Sequence, residues 1–530
     1  MHQALFIDEI VRHIFSFSAD DAVNNGYTSL CRSARCCKTW QEPALDALWS
    51  QLFCAAPLIR LIPGVLEKDG VFTLPSESVP DLDIFCSYAR RVRIITHRHR
   101  RPMDPCIVSL LQSAFSNIHV LPQLSRASIS VPSWDAFSVC MAQSPSLRQL
   151  TLDLGFNRAR IDAKGWSNDE VAAGYLEGLI SSPNPSIEQM ELRGLALGHP
   201  RIASSLVSLG ASMRFLTLTT GASLSPSTLA GVVTFPRLED LEVHAGHISS
   251  DDLAEALKAG GGERGVFPAL RKLRVRAQAP LVELLLGKMA SCQLAQLHLE
   301  AVSQPQGERA HNWAQTFALI PAKAASTLQE LTIEHHLDLP MENEPNANIP
   351  IPIPSSASPA GPDAPSGTTD TATWTLTSLR PFEPLTHLRR LVLDTTLPPC
   401  LNDADMEILA RWWPKVEHLE LGGLVSDLNC VHPDSTNRTT LACLHSFAKW
   451  CTRLETLVLN LDVTAYPSDA QCGVAQTSLR NLALGSTLAP EPADLARYLG
   501  RVFPALEIVD GIPKFEDEFK AANCLMHPAN

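Results

Sequence analysis

A short apolar pattern, L-x-x-L-x-L with aliphatic substitutes, recurs along most of this chain and constrains its fold more than any other feature. Its last apolar positions alternate with polar ones, which is typical of a strand with one buried face. Successive units begin 24 to 40 residues apart, with one interval of 60. The twelve units are Leu147/Leu150/Leu152, Ile187/Met190/Leu192, Met213/Leu216/Leu218, Leu238/Leu241/Val243, Leu270/Leu273/Val275, Leu294/Leu297/Leu299, Leu328/Leu331/Ile333, Leu388/Leu391/Leu393, Val416/Leu419/Leu421, Leu454/Leu457/Leu459, Leu479/Leu482/Leu484 and a degraded Leu506/Val509.

Segments with helical patterning lie between these predicted strands. They cover residues 169–180, 251–258, 403–412 and 492–499. Ser249 and Ser250 precede acidic residues of one segment, and Pro492 opens another, which are signals for the beginning of a helix. A strand, a turn and a helix repeated at this spacing predict an α/β solenoid of stacked units.

The repeat resembles the leucine-rich repeat family. That resemblance implies a horseshoe with parallel strands on the concave face and helices outside. The family usually has Asn or Cys three residues after the last leucine, where this chain has Gly155, Gly221 and Asp462, among others. We therefore expect another way of closing the loops, and irregular units. The predicted repeat domain covers residues 56–512, with clear units from about 145. Weaker candidates lie at Val92/Ile95 and Ile118/Leu121.

The 60-residue interval contains a stretch of different composition, residues 340–384. It is rich in Pro, Ser, Ala and Gly, and such a segment buries too little apolar surface to offset the entropy of ordering the chain. We expect a disordered insertion within the solenoid, and Pro359 to Pro362 also fits a proline-rich ligand. Residues 513–530 are expected to form a C-terminal tail.

Residues 1–55 do not follow the repeat. Apolar residues at helical spacing predict one helix from Asp8, a second stretch from Ser29 to Trp40, and a third from Glu42 to Leu52, with Pro43 near its beginning. Three short helices bury little of their own apolar surface. We expect this module to dock either on the solenoid of its own chain or on a partner.

The N-terminal module resembles an F-box, especially that of fungal proteins. The matching residues are Ile7-Asp8-Glu9-Ile10 with Ile14-Phe15, then Leu30, Ala34, Cys37-Lys38 and Trp40, then Leu45, Leu48-Trp49 and Leu52. Where the family usually has Leu-Pro before the first helix, this chain has Phe6-Ile7. An F-box followed by leucine-rich repeats is the order of F-box/leucine-rich-repeat proteins.

The resemblance implies the substrate-recognition subunit of a cullin–RING (SCF-type) ubiquitin ligase. The F-box would dock on the Skp-family adaptor, and through it on a cullin, while the repeats bind a protein substrate of unknown identity. A non-ligase scaffold, whose N-terminal helices only cap the solenoid, remains the alternative. The residues predicted to bind the adaptor are Leu5, Ile7, Ile10, Ile14, Phe15, Leu30, Trp40, Pro43, Leu45, Leu48 and Trp49.

Polar residues between the buried leucines of four neighbouring strands are the candidates for binding substrate. Since successive side chains of a strand point to opposite faces, these residues share the exposed face. An ordinary hydrated strand face is the alternative. The predicted residues are Glu242, His244, Arg274, Arg276, His298, Glu300, Thr332 and Glu334.

Charge and motifs exclude several other classes of function. The net charge of −13 argues against a general binder of nucleic acid or anionic membranes. We found no catalytic, phosphate-binding or metal-ligand motif, so we expect no enzyme activity and no cofactor. The N-terminus lacks a secretion signal and the cysteines lack metal spacing, so we expect a protein of the cytoplasm or nucleus with reduced thiols. The basic run Arg90–Arg101 is either a solvated face or a site for an acidic partner.

Overall fold

The computed structural model divides the chain into two compact units, residues Met1–Leu270 and Arg271–Asn530. The structure describes residues 7–20, 26–74, 80–98, 103–115, 119–156, 168–182, 186–259, 266–289, 293–302, 313–336, 374–396, 398–424, 439–467 and 474–527. Leu5 and most of the predicted insertion, residues 340–373, lie outside the described residues.

The first unit consists of a helical N-terminal module followed by parallel strands that alternate with helices. Its helices are α1 (Asp8–Asp20), α2 (Gly26–Ser33), α3 (Lys38–Trp49), α4 (Ala56–Ile59), α5 (Asp83–Ala89), α6 (Pro105–Ala114), α7 (Ala136–Met141), α8 (Asn168–Ile180), α9 (Pro200–Leu209), α10 (Pro226–Val232) and α11 (Ser250–Ala259). Its strands are β1 (Gln51–Leu52), β2 (Leu66–Lys68), β3 (Val71–Thr73), β4 (Ile94–His97), β5 (Arg126–Ile129), β6 (Gln149–Asp153), β7 (Gln189–Arg193), β8 (Phe215–Thr219) and β9 (Asp240–His244). The strands β2 and β3 form a separate antiparallel pair, and the others pair in parallel in chain order.

The second unit repeats strand and helix in the same alternation. Its strands are β10 (Lys272–Ala277), β11 (Gln296–Ala301), β12 (Glu330–His335), β13 (Arg390–Thr395), β14 (His418–Leu421), β15 (Thr456–Asn460), β16 (Asn481–Gly485) and β17 (Ile508–Gly511). Its helices are α12 (Ala279–Lys288), α13 (Ala314–Ala324), α14 (Leu376–Leu379), α15 (Asp403–Trp412), α16 (Cys443–Trp450), α17 (Pro492–Val502) and α18 (Glu516–Met526). These strands are parallel and pair in chain order. The α/β fold of stacked strand–helix units is therefore confirmed, and each of the twelve predicted units contains a strand.

Register explains why the repeat produces this core. In the second unit Leu297 is paired with Leu331, and Leu331 with Leu391, so that leucines from equivalent positions stack across the sheet. These side chains are at most 2% exposed. Because side chains alternate between the two faces of a strand, the intervening residues form rows on the opposite face.

Glycine closes several strand ends. Gly155 and Gly221 stand where the leucine-rich repeat family usually has Asn or Cys, and they have positive φ angles of 75° and 53°. Gly194 and Gly422, which lie closer to their strands, have φ angles of 88° and 87°. Glycine reaches this region at little cost because it has no Cβ. At one later turn the side chain of Asn460 donates a hydrogen bond of 2.8 Å to the carbonyl of Gly423. The units thus close their loops by different local means, as the missing family residues led us to expect.

Three details of the structure differ from the sequence predictions. The second helical stretch is interrupted, because α2 ends at Ser33 and α3 begins at Lys38, which puts Pro43 inside the helix. The second upstream repeat is centred on β5, where Leu124, Ala127 and Ile129 are fully buried, while the predicted Leu121 is buried ahead of the strand and Ile118 lies outside the described residues. The basic run is divided, since Arg91 is 9% exposed and His97 is 4% exposed.

The end of the predicted insertion and the predicted C-terminal tail both contain helices. Residues 374–384, at the end of the predicted insertion, include α14 and bury Leu379 and Phe382 completely. The predicted tail, residues 513–530, contains α18, whose Phe519 is 1% exposed. In both segments a buried aromatic residue packs into the core of the second unit. Along the described residues, none of the helices is long and apolar enough to span a lipid bilayer.

Candidate functional site

One face of α1 presents apolar side chains to solvent. Ile7, Ile10, Ile14 and Phe17 are 47%, 39%, 43% and 63% exposed. Ile7 directly precedes α1, and the spacing of three, four and three residues puts the other three on the same side of the helix. We call this set of four residues the α1 apolar face.

An adjacent side of α1 forms the core of the N-terminal module. Val11 and Phe15 are 2% and 6% exposed and pack with Leu30 and Ala44. Arg12 fixes the orientation of the helix, since its guanidinium lies 2.6 Å from a carboxylate oxygen of Asp8 and 2.6 Å from one of Asp46. These hydrogen bonds raise the pKa of Arg12. The helix is thus apolar on two sides, and only one of them is covered by the module.

The other predicted adaptor-binding residues occupy different environments. Phe15, Leu30 and Pro43 are buried inside the module. Trp40 and Leu48 are half-buried and pack against its core. Two further half-buried residues are Leu45 and Trp49. The sequence analysis missed Phe17, whose position three residues after Ile14 on the same helix was the available signal.

The module is joined to the first strands of the solenoid through α3. Arg91, at the end of α5, makes an ion pair of 2.6 Å with Glu42 and a second one with Asp46. The rings of Trp49 and Tyr88 lie 4.6 Å apart between centroids. A charged group as buried as Arg91 needs partners of this kind. The α3 side of the module is therefore covered by its own chain.

The predicted substrate residues lie on the exposed faces of four strands in two units. In the first unit Glu242 and His244 are on β9, and His244 Nε2 lies 3.8 Å from Glu242 Oε1. Their side chains are 28% and 30% exposed. These two residues form a small polar patch at the end of that strand.

In the second unit the other six residues form two rows across β10, β11 and β12. One row consists of Arg274, His298 and Thr332. The other consists of Arg276, Glu300 and Glu334. These rows follow from the alternation of side chains between the two faces of each strand.

Contacts between charged and polar side chains lie both within and between the rows of the second unit. Within one row, Arg276 Nε lies 3.2 Å from Glu300 Oε1. Between the two rows, His298 contacts Glu334 through Nε2. The next strand adds Asp394, which lies 3.6 Å from His336. Partly exposed pairs of this kind contribute little stability and can exchange partners. Such a surface is suited to polar contacts with another protein.

The structure also shows where reactive chemistry is disfavoured. Burial raises the pKa of the Cys451 thiol to about 12 and that of Cys443 well above its usual range. A thiol held in its protonated form is a poor nucleophile and a poor metal ligand. Among the described residues, no three His, Cys, Asp or Glu side chains are grouped so that they could hold a metal ion.

Comparisons with known proteins identify the N-terminal module. A family model described as F-box-like matches residues 8–55. No curated protein matches the chain. Among solved structures, the chain is similar to one in the complex of Rad7 and Elc1 from yeast, with 11% identity and a TM-score of 0.32, over 96% of this chain and 90% of that one. The N-terminus of the chain is thus an F-box-like module.

Proposed function

We propose that this protein is a substrate-recognition subunit of a cullin–RING (SCF-type) ubiquitin ligase. The α1 apolar face docks on a Skp-family adaptor, and through it on a cullin. The polar rows on the strand faces bind a protein substrate. The observation that carries the proposal is the α1 apolar face itself, because three of its four residues lie in the segment that matches the F-box-like model.

The α1 apolar face has the properties of a docking surface. Isolated apolar residues are common at protein surfaces, but a contiguous patch usually marks a site of interaction. Ile10, Ile14 and Phe17 on α1, together with Ile7 directly before the helix, form such a patch. Their burial would contribute about 25 cal/mol for each Å² of apolar surface removed from water.

No catalytic group is needed in this role. A protein that binds an adaptor with one surface and a substrate with another raises the effective concentration of substrate near the ubiquitin-charged enzyme. Substrate specificity then depends on the solenoid, and attachment to the ligase depends on the module.

The alternative is a scaffold whose N-terminal helices only cap the solenoid. The pairing of Arg91 with Glu42 and Asp46 favours a capping role for α3. Capping by α3 does not account for α1, whose apolar face is left exposed by the described residues around it. The two roles are compatible, and the exposed face is the part that requires a partner.

The proposal is tested by replacing Ile10 and Ile14 with Asp in the full-length chain. Purified Skp-family adaptor should be captured by the wild type and lost by Ile10→Asp/Ile14→Asp. Burial of two aliphatic side chains is worth about 3 kcal/mol or more, so we expect the affinity to fall at least about a hundredfold. Because both side chains are exposed, thermal unfolding of the uncomplexed variant should be nearly unchanged.

A matched control replaces two exposed apolar residues outside the module, Ile84 and Leu525, which are both 56% exposed. The variant Ile84→Asp/Leu525→Asp should capture adaptor like the wild type. Capture by the α1 variant at wild-type affinity would contradict the proposal and leave the scaffold as the better explanation.

A further inference from the structure

A basic groove lies along the edge of the second unit where its strands begin. It encloses about 450 Å³ and is lined by His387, Arg389, Lys415 and Arg453 together with neutral residues. No carboxylate is among the residues that line it. This is a local excess of positive charge on a chain whose net charge is −13.

Three of these residues occupy the same position in successive repeats. His387, Lys415 and Arg453 each lie three residues before a strand, and β13, β14 and β15 follow them in register. Neighbouring strands are about 4.8 Å apart. The repeat therefore places the three side chains in a row at steps of about that length.

Contacts within the groove leave its positive charge largely uncompensated. Lys415 Nζ lies 3.1 Å from Nδ1 of His387, a contact that involves no carboxylate. Neither Lys415 nor Arg453 makes an ion pair with a described carboxylate, whereas Arg389 lies 3.5 Å from Glu417 on the strand side. Two of the cations thus remain available to a ligand.

The corresponding groove of the first unit has a different lining. It encloses about 640 Å³, and its lining includes Arg148, Arg214 and Arg237 but also the carboxylates of Glu188 and Glu239. Arg148 is paired with Glu188, and Arg214 lies 2.9 Å from Glu239. Two of the three arginines that line this groove are thus paired with carboxylates of the same lining, whereas the lining of the second-unit groove contains no carboxylate.

We infer that the basic groove binds an extended acidic segment of a partner protein through Lys415, Arg453 and the neighbouring His387. A row of donors separated by strand spacing extends farther than one phosphate ion, but it suits carboxylates along an extended peptide, which advances about 3.3 Å per residue. The nearby hydroxyl and amide groups of Thr327 and Gln329 add polar lining. This inference goes beyond the proposed function, because it does not depend on adaptor docking.

The test measures binding of fluorescent peptides to the full-length chain by anisotropy. One peptide is rich in Glu, and a second has Gln at every Glu position. The Glu-rich peptide should bind more tightly, and its affinity should fall as salt is added. In Lys415→Gln/Arg453→Gln the affinity should fall about fivefold or more, since two charge-assisted contacts are lost.

A matched control removes the same charge elsewhere. Lys258 and Lys288 are exposed lysines near helix C-termini, so Lys258→Gln/Lys288→Gln should keep wild-type affinity for the Glu-rich peptide. An equal loss in both variants would show a general charge effect and overturn the inference. Displacement by inorganic phosphate at equal anion concentration would also overturn it, by showing a site for a single oxyanion.

Adaptor capture by the same variants separates this inference from the proposed function. Lys415→Gln/Arg453→Gln should capture adaptor normally, and Ile10→Asp/Ile14→Asp should bind the Glu-rich peptide normally. Loss of peptide affinity only in the groove variant supports the inference whatever the outcome of adaptor capture. Peptide binding unaffected by the groove variant overturns it even if adaptor capture succeeds.

Discussion

At the scale of single residues, His97 is the clearest case of a polar group placed in the interior. It is 4% exposed at the end of β4, and its Nε2 has no hydrogen-bond partner among the described residues. Burial penalises the charged imidazolium and lowers the pKa of His97 to about 4. The ring is therefore neutral at pH 7 in the folded chain.

This burial predicts acid sensitivity of the first unit. In the unfolded chain the histidine has a pKa of about 6.5, so the unfolded state binds the proton first as pH falls. The neutral, buried His97 therefore does not lower the free energy of unfolding above about pH 6.5. As pH falls from about 6.5 to about 4, the free energy of unfolding decreases by roughly 3 kcal/mol. Urea unfolding at pH 7 and pH 4, followed by hydrogen exchange of β4 and β5, should show this loss in the wild type and a smaller one in His97→Phe.

The control is the exposed His527, whose replacement by Phe should leave the pH dependence unchanged. Carboxylates elsewhere also respond to acid, so the informative quantity is the difference between wild type and variant. An identical loss in wild type and His97→Phe would show that His97 is charged, or accessible, in the folded state.

At the scale of the elements, the turn after β7 depends on glycine. Gly194 has a φ of 88°, and a Cβ at this position would lie 2.3 Å from the carbonyl oxygen of Gly155 in the turn after β6. The two turns therefore approach so closely that a residue with a Cβ atom does not fit at position 194. The stacking of neighbouring strands in this part of the first unit depends on that approach.

Gly194→Ala should destabilise the first unit by about 2 kcal/mol or more, because it combines an unfavourable φ with a backbone clash. Gly174 provides the control, since a Cβ there meets nothing within 4 Å and the residue lies inside α8. Gly174→Ala should stabilise the same unit by about 0.5–1 kcal/mol. Urea unfolding of both variants measures the change in the free energy of unfolding, which should be a loss for Gly194→Ala and a gain for Gly174→Ala. An unchanged stability of Gly194→Ala would show that the turn is free to move.

The elements also show what could be predicted from sequence. A strand with one buried face has a pattern of period two, and every one of the twelve repeats contains such a strand. The beginning of α3 could not be predicted, because Cys37 precedes it without a side-chain cap and Pro43 imitates a helix start. The groove of Lys415 and Arg453 was missed because its residues are far apart in sequence and are brought together only by register.

At the scale of the whole molecule, the parallel pairing of strands continues across the one long interval between successive repeats. β12 and β13 are separated by the 60-residue interval, yet they pair residue by residue, with Leu331 opposite Leu391. The described chain on the two sides of the interruption is close together, since the rings of His335 and Trp374 stack with centroids 5.7 Å apart. The strand pairing therefore does not need the intervening residues to span a distance.

Replacing residues 340–370 with a short Gly/Ser linker should therefore leave the second unit intact. Closing a flexible loop costs free energy that grows only with the logarithm of its length, so the change in stability should be below about 1 kcal/mol. Thermal unfolding and binding of the Glu-rich peptide should both match the wild type.

A contrasting deletion of residues 340–384 also removes the buried Leu379 and Phe382. The backbone carbonyl of Phe382 accepts a hydrogen bond of 3.1 Å from the indole N–H of Trp413. That deletion should destabilise the unit by several kcal/mol, at about 2–5 kcal/mol for each large buried side chain lost. Equal stability of the two deletions would mean that the repeat continues across the gap without α14, and equal loss would mean that residues 340–370 contribute to the core.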